Sequence, residues 1–433
     1  MGFFGVMSIG VGAVVGDGVF LMVADGAANA GPACVISYMI AGIFLFCVSM
    51  SCVELAIGMP LAGGLHDWNK RMLGPRWGVV AAFGNASMNL IFLGSVGIGV
   101  GFISNHFFMF TSNETVSAVI WGILILVILY LITLTGGDIT GKVQFGLIVL
   151  LVLIMVVFTI AGLCSGRVDS GNLHPFAPFG AKGIWLGIMA GVYAFMGPMS
   201  LLTTSGEIKK ASILPKAMLW TFIMILAIYL AAMLVCLGMV NYQEYSTMDS
   251  PFTVAAEMVF GKAAGMIINV GAWIACVTCL LAEYFTVSRV LYGMAEQKAV
   301  PKFFMKANKN GVPSNGLTFG LIVGICLIFM AIIPFMGTIY TVLGGMSCAC
   351  GVMCMFFTVI SGWIYKKKFP EEHAALEWHL PCRNVISCLG LIGTILLFAA
   401  SFTSSLQTLI AMIVVFIIFI LYYEFYVKPR AVD

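Results

Sequence analysis

Long apolar stretches, separated by short polar connections, follow one another along the whole chain. Twelve of them are long enough for a membrane helix, because a bilayer core about 30 Å thick needs roughly 20 apolar residues. They are continuously apolar, whereas barrel strands alternate over segments of ~10 residues, so helices are favoured. We predict twelve spanning helices, called segments 1 to 12, at residues 3–24, 32–59, 77–110, 116–135, 141–164, 183–206, 213–240, 263–297, 315–336, 338–365, 383–403 and 406–428.

The composition supports an all-α polytopic membrane protein. Of 433 residues, 61% are hydrophobic and only 9% are charged, and the mean hydropathy of +1.08 lies far above that of a soluble globular protein. Segment 1 lacks a basic flank and a small-residue cleavage site, so we expect a persistent helix rather than a signal peptide. Because the chain opens almost directly in segment 1, we expect a missing cytoplasmic N-terminal segment. We predict a single transmembrane domain over residues 1–433.

The basic residues predict the orientation of the chain, since short cytoplasmic loops retain lysine and arginine. With the connection before segment 3 placed inside, 18 of the 21 basic residues lie on one side, and only Arg167, Lys182 and Lys262 lie on the other. We expect both termini to be cytoplasmic in a plasma or inner membrane. The net charge of +3 therefore reflects topology rather than nucleic-acid binding.

Motifs for catalysis or metal binding do not stand out. The thirteen cysteines lie mostly within apolar runs without zinc-site spacing, so we interpret them as packing residues. H-E-x-x-H, G-x-S-x-G and P-loop patterns do not occur. Gly16-Asp17 resembles half of the G-x-G-D element of intramembrane aspartyl proteases, but position 14 is valine and a Tyr-Asp partner does not occur. We predict no enzyme, no cofactor and no metal.

Two segments carry residues that interrupt helices. Segment 1 contains Gly10, Gly12, Gly16 and Gly18, and segment 6 contains a Gly-Pro pair at residues 197–198. Non-helical backbone at membrane depth survives only where protein or a watery cavity satisfies its polar groups, and transporters use such breaks to bind substrates. Close packing of helices through glycine is the alternative. Two breaks five segments apart favour corresponding members of two repeats.

Several motifs, in order along the chain, resemble the amino acid/polyamine/organocation permeases. The matching stretches are GAVVGDGVF at 12–20, AGPA at 30–33, ELA at 54–56, GKVQF at 141–145, SPF at 250–252, SRVLYGMA at 288–295, PKFF at 301–304 and GVP at 311–313. The resemblance runs nearly end to end. It implies two inverted five-helix repeats, at 1–164 and 183–365, two further helices at 383–428, and alternating access around a central site at broken helices 1 and 6.

The same resemblance implies which residues bind the substrate's ammonium and carboxylate groups. They are Val14, Val15, Gly16, Asp17 and Gly18 in segment 1, and Tyr193, Ala194, Phe195, Met196 and Gly197 in segment 6. Three positions depart from the family. Leu151 replaces the lysine of some proton-coupled members, Met199 replaces the glutamate of several antiporters, and Asp17 replaces a small residue. The first departure argues against a lysine-based proton mechanism.

Acidic and aromatic side chains in these segments allow two interpretations each. Asp17 either pairs with a substrate ammonium or an ion, or caps the second half-helix. Glu283, an acid inside an apolar run, either reaches the cavity or pairs with Arg289 or a backbone group. Tyr193 and Phe195 either contact an ammonium by cation–π interaction or fill the core. Glu54 and Glu207 are expected near the interface, solvated or in salt bridges, rather than at the substrate.

These observations predict a secondary active permease for a small organic amine or amino acid, coupled to protons or working by exchange. Asp17 favours an amine or cationic substrate. The alternative within the family is a neutral amino acid carrier in which Asp17 is protonated or caps a helix, and Thr286 and Ser288 offer weak sodium contacts. Outside the family, a channel or an intramembrane enzyme is disfavoured.

Overall fold

Helices are the only regular structure in the described part of the chain. The computed structural model describes residues 2–16, 18–60, 64–197, 201–202, 208, 210–247, 250–332, 339–404 and 406–430, which contain no β-strand. The α-helices are α1 (Phe3–Val14), α2 (Met22–Ala30), α3 (Cys34–Gly58), α4 (Leu65–Leu73), α5 (Pro75–Asn105), α6 (Glu114–Leu134), α7 (Gly137–Cys164), α8 (Gly180–Phe195), α9 (Ile213–Met239), α10 (Pro251–Phe260), α11 (Lys262–Glu296), α12 (Ser314–Phe329), α13 (Ile339–Lys368), α14 (Pro370–Ala374), α15 (Arg383–Ser404), α16 (Leu406–Tyr422) and α17 (Lys428–Arg430).

The helices agree with the predicted segments. Within the described residues, nine helical stretches are long and apolar enough to cross a membrane, and shorter apolar helices account for the remaining segments. The predicted all-α polytopic architecture is therefore confirmed. Its division into inverted repeats stays a prediction, as does the placement of both termini.

Local sequence explains where several helices begin. Pro75 and Pro251 occupy the first positions of α5 and α10, where the missing backbone donor removes no helical hydrogen bond. The Asn113 side chain accepts a hydrogen bond from the Val116 N–H at 3.1 Å, which caps α6. These signals fix the starts of helices whose interiors are almost uniformly apolar.

The packing of the bundle places the interrupted helices inside the protein. The long helix α5 packs against α4, α6, α11, α12 and α13. Helix α1 packs against α7, α9 and α11, while α2 and α3 both pack against α8. The ends of α1, α2 and α8 are consequently surrounded by protein, as irregular backbone at membrane depth requires.

Candidate functional site

The first break separates α1 from α2. Helix α1 ends at Val14, the backbone is extended at Val15 (φ −81°, ψ 95°), and the chain bends at Gly16 before α2 begins at Met22. Val14, Val15, Gly16 and Gly18 are all buried. Asp17 lies outside the described residues. The expected interruption of segment 1 is thus present, in the stretch that contains the predicted site residues.

Two buried tyrosines satisfy backbone carbonyls at this break. The Tyr229 hydroxyl, on α9, donates to the Val14 carbonyl at 3.3 Å. The Tyr38 hydroxyl, on α3, donates to the Gly18 carbonyl at 3.2 Å. Neither tyrosine side chain is accessible to solvent. Because an unsatisfied carbonyl in an apolar environment is costly, these hydroxyls stabilise the interrupted form of the helix.

The second break follows α8. Helix α8 ends at Phe195, the backbone is extended at Met196 (φ −70°, ψ 135°), and Gly197 has a φ of 137°, which strongly favours glycine. Tyr193, Ala194 and the residues to Gly197 are buried. Pro198 and Met199 lie outside the described residues. Segment 6 is therefore interrupted next to the Gly-Pro pair that predicted it.

The two breaks lie against each other. A Cβ atom added to Gly18 would lie 2.6 Å from the Cα of Ala194, and one added to Gly197 would overlap the carbonyl oxygen of Ala13. Ordinary Cβ contacts are about 3.4 Å or longer, so glycine is needed at both crossing points. The predicted site residues of segments 1 and 6 thus lie next to each other in one buried region.

The two aromatic residues of the second break have different surroundings. The fully buried Phe195 ring packs on the Tyr229 ring at 5.3 Å between centroids. The Tyr193 ring contacts that of Phe92 at 5.0 Å, and its hydroxyl lies 3.3 Å from the Ser95 hydroxyl. Phe195 therefore packs in the protein core, which is one of its two predicted roles. A cation–π contact with a substrate stays a prediction for both rings.

Glu283 is a buried acid on the α11 face that meets the first break. Its side chain is buried, at 2% exposure, and Oε2 has no hydrogen-bond partner in the described part of the chain. Cys279 precedes it by four residues and therefore lies on the same helix face. A Cβ on Gly16 would lie 3.1 Å from the Cys279 sulfur. Glu283 is thus one helical turn from the break.

The residues that follow Glu283 point their polar atoms along their own helix. The Arg289 guanidinium lies over the Phe285 ring and donates to the Phe285 carbonyl at 3.4 Å. The Thr286 and Ser288 hydroxyls donate to helical carbonyls three or four residues earlier, at 2.9 and 3.0 Å. The hydroxyl oxygens keep acceptor capacity, so a sodium contact stays a prediction.

Two asparagines on α5 were not among the predicted site residues. The Asn89 side-chain amide donates to the Asn85 backbone carbonyl and to Asn85 Oδ1 at 3.2 Å. Asn85 Nδ2 and Asn89 Oδ1 have no hydrogen-bond partner among the described residues, and both side chains are buried. Phe92, on the same face, touches Tyr193. The sequence signal that could have identified them is a pair of amide side chains four residues apart inside an otherwise apolar helix.

Glu54 lies away from the two breaks, as expected, but it is not solvated. Its side chain is 1% exposed, and Oε2 accepts from Arg383 Nε at 2.7 Å. Oε1 accepts from the Leu380 N–H at 2.9 Å. Of the two expected alternatives, the salt bridge is present, and the carboxylate is buried because the connection before α15 covers the end of α3. Glu207 lies outside the described residues.

Comparison with known proteins places the chain in a family. Residues 1–422 match the family described as amino acid permease. The uncharacterized amino acid permease YtnA of Bacillus subtilis (strain 168) is 25% identical over 388 residues, which cover 86% of this chain and 82% of that protein. The branched-chain amino acid permease BcaP of Lactococcus lactis subsp. cremoris (strain MG1363) is 24% identical, with coverage of 90% and 87%. The D-serine/D-alanine/glycine transporter of Escherichia coli (strain K12) is 23% identical, with coverage of 98% and 93%. The chain therefore belongs to the amino acid permease family, within the amino acid/polyamine/organocation superfamily.

Proposed function

We propose that this protein is a secondary active permease that carries a small organic amine or amino acid by alternating access around the two helix breaks. The observation that carries the proposal is the direct contact of the breaks at Gly18 and Gly197. Two interrupted helices that cross in the interior bring the polar backbone groups of helix ends together where water is scarce. Such an arrangement suits a small substrate whose charges need partners at membrane depth.

The helix ends offer complementary charges for an ammonium and a carboxylate. The carbonyl ends of α1 and α8 carry negative partial charge, and the first N–H groups of α2 carry positive partial charge. A substrate ammonium is therefore favoured at the carbonyl ends of α1 and α8, and a substrate carboxylate at the N–H groups of α2. Val14 to Gly18 and Tyr193 to Gly197 are the proposed contacts.

Acidic residues favour an amine over a zwitterion. Glu283 lies one turn from the first break, and its Oε2, which has no partner among the residues that the structure describes, can accept a hydrogen bond from a substrate ammonium. Asp17 stands between Gly16 and Gly18 in the sequence, and its carboxylate is a second proposed contact for the ammonium. The amides of Asn85 and Asn89 offer one donor and one acceptor for the distal part of the substrate.

A neutral amino acid is the second candidate substrate. Two relatives support it, since one is named a branched-chain amino acid permease and the other a D-serine/D-alanine/glycine transporter. The amino acids in these names are zwitterions. In this case Asp17 is protonated or caps α2, and the α2 N–H groups bind the substrate carboxylate. The two candidates differ in whether a substrate without a carboxylate binds more tightly than its parent amino acid.

Counterflow into proteoliposomes tests the proposal. Proteoliposomes that contain the purified protein are preloaded with one of a panel of amino acids or the corresponding decarboxylated amines. They should then accumulate the labelled substrate, with saturation and with stimulation by substrate inside the vesicle. Liposomes without protein are the control. Uptake that neither saturates nor responds to internal substrate would instead indicate a channel and contradict the proposal.

We further propose that transport is coupled to protons or works by exchange. Replacing sodium with choline should leave uptake unchanged, while an imposed pH gradient or internal substrate should drive it. Strict dependence on sodium would overturn this part and favour the Thr286 and Ser288 contacts.

A further inference from the structure

A second polar cluster lies at the end of α3, far along the chain from both breaks. It joins Glu54 of α3, His373 of α14 and His379 of the connection that leads to α15. One potential ligand atom from each residue lies within 4.8 Å of the other two. The surrounding connections hold many lysines and arginines and are predicted to be cytoplasmic. Transport as proposed above does not use this cluster.

The closest pair of atoms in the cluster has the spacing of two ligands of one ion. Nε2 of His373 lies 3.2 Å from Oε1 of Glu54, at ion-pair distance, although the contact lacks hydrogen-bond geometry and Nε2 has no other partner in the described part of the chain. Both side chains are more than nine-tenths buried. A tetrahedral ion with bonds of about 2.0 Å has ligands roughly 3.3 Å apart, which is close to this separation.

The imidazole of His373 presents Nε2 to the Glu54 carboxylate. An imidazole binds a metal through the lone pair of a ring nitrogen. His379 stacks at a tilt against His373, with 5.1 Å between ring centroids, and is exposed. Its ring can turn without disturbing the core, which also leaves an entry path from solvent.

The remaining contacts of Glu54 orient its carboxylate without filling it. Arg383 binds Oε2 and also donates to the carbonyls of Gly362 and Trp363. Leu380 N–H occupies one acceptor position of Oε1, and a carboxylate oxygen has two. One lone pair of Oε1 therefore stays available beside His373. The positive charge of Arg383 opposes a dication, so moderate rather than very tight affinity is expected.

We propose that Glu54, His373 and His379 bind Zn²⁺ or a similar transition-metal dication, with water as the fourth ligand. Two imidazole nitrogens and one carboxylate suit zinc, whereas magnesium and calcium prefer all-oxygen sites. The ion would connect the end of α3 to the chain between α13 and α15. The contact between the end of α3 and the chain that joins α13 to α15 would therefore depend on the metal.

Calorimetric titration of the full-length, chelator-treated protein in detergent tests the proposal. Zn²⁺ should bind saturably in the micromolar range, and Mg²⁺ should not compete. His379→Ala removes an exposed ligand without disturbing the core and should weaken binding at least about tenfold. His106→Ala, at another exposed histidine, is the matched control and should bind as the parent does. A parent without saturable binding, or His379→Ala binding equal to the parent's, overturns the proposal.

Cysteine is the competing ligand, so a second measurement identifies the donors. Co²⁺ bound at this site should show visible tetrahedral bands without a thiolate charge-transfer band, because its ligands are nitrogen and oxygen. Cys382→Ser, at an exposed cysteine three residues from His379, should retain binding. A thiolate band that Cys382→Ser abolishes would assign the ion to cysteine and refute the proposed ligand set. These measurements involve no transport, so their failure is independent of the proposed permease activity.

Discussion

Replacing Glu283 with glutamine keeps the shape of the side chain but removes a carboxylate from the α11 face near the first break. In the substrate-free protein its Oε2 has no hydrogen-bond partner among the described residues, and the side chain is almost fully buried. A charged side chain near the membrane centre costs roughly 2.5–3.5 kcal/mol or more. We therefore expect Glu283→Gln to leave the melting temperature of the substrate-free protein unchanged or to raise it.

Binding of an amine should respond in the opposite direction. If the Glu283 carboxylate pairs with a substrate ammonium, glutamine leaves that ammonium without its counter-ion in a site of low dielectric constant. Breaking a buried pair costs about 3–5 kcal/mol. At about 1.4 kcal/mol per tenfold change, the affinity should fall roughly 140- to 4,000-fold. Glu283→Gln should thus lower amine affinity without lowering the melting temperature. A purely structural role of Glu283 would not produce this combination.

Binding of matched amine and amino acid pairs to purified protein measures the effect. Glu257→Gln, at an exposed acid on α10, removes the same charge outside the core and is the control. It should bind every compound as the parent does. Equal amine affinities in the parent and Glu283→Gln would refute the counter-ion role. A lower melting temperature of substrate-free Glu283→Gln would show instead that Glu283 stabilises the fold.

Other substitutions test further features of the structure. Gly18→Ala places a Cβ 2.6 Å from a backbone carbon of α8, and this overpacking should destabilise the fold by about 1–3 kcal/mol. Gly146→Ala, whose Cβ meets open space, should not lower the melting temperature, and equal melting temperatures of the two variants contradict the close contact. Asp17→Asn should reduce amine affinity at least about a hundredfold if the carboxylate is a counter-ion, whereas affinity within a few fold of the parent leaves Asp17 as a cap, since asparagine caps helices well. Arg383→Gln leaves the buried Glu54 carboxylate without its cation, which should destabilise the fold by up to about 3–5 kcal/mol; an unchanged melting temperature by intrinsic fluorescence would contradict this.

Helix positions and breaks follow from local sequence, which explains why they were predictable. Each long helix is a mainly apolar run with few polar positions, and more polar connections separate most of these runs. The breaks depend on glycine and proline, whose effects on the backbone act within a few residues. The short helices α4, α10 and α14 were not predicted because each is too short for a membrane span.

The partners of the site residues depend on tertiary packing, and the sequence alone does not indicate them. Nothing near Val14 indicates that its carbonyl meets the hydroxyl of Tyr229. Glu54 looks interfacial by position, and it is buried only because the connection before α15 folds over it. The polarity of Asn85 and Asn89 is visible in the sequence, but their unpartnered atoms emerge only from the packed structure.

The hydrogen bond between Tyr229 and Val14 also has a consequence for the synthesis of the protein. Its two residues are separated by 215 positions, and the α8 backbone that crosses Gly18 is likewise made long after α1. A nascent first segment lacks these partners, and unsatisfied carbonyls in hydrocarbon are costly. We therefore expect the segment to enter the bilayer as a continuous helix and to unwind only after α8 and α9 have been inserted. Formation of the break is then a late step of assembly that joins the two halves of the chain.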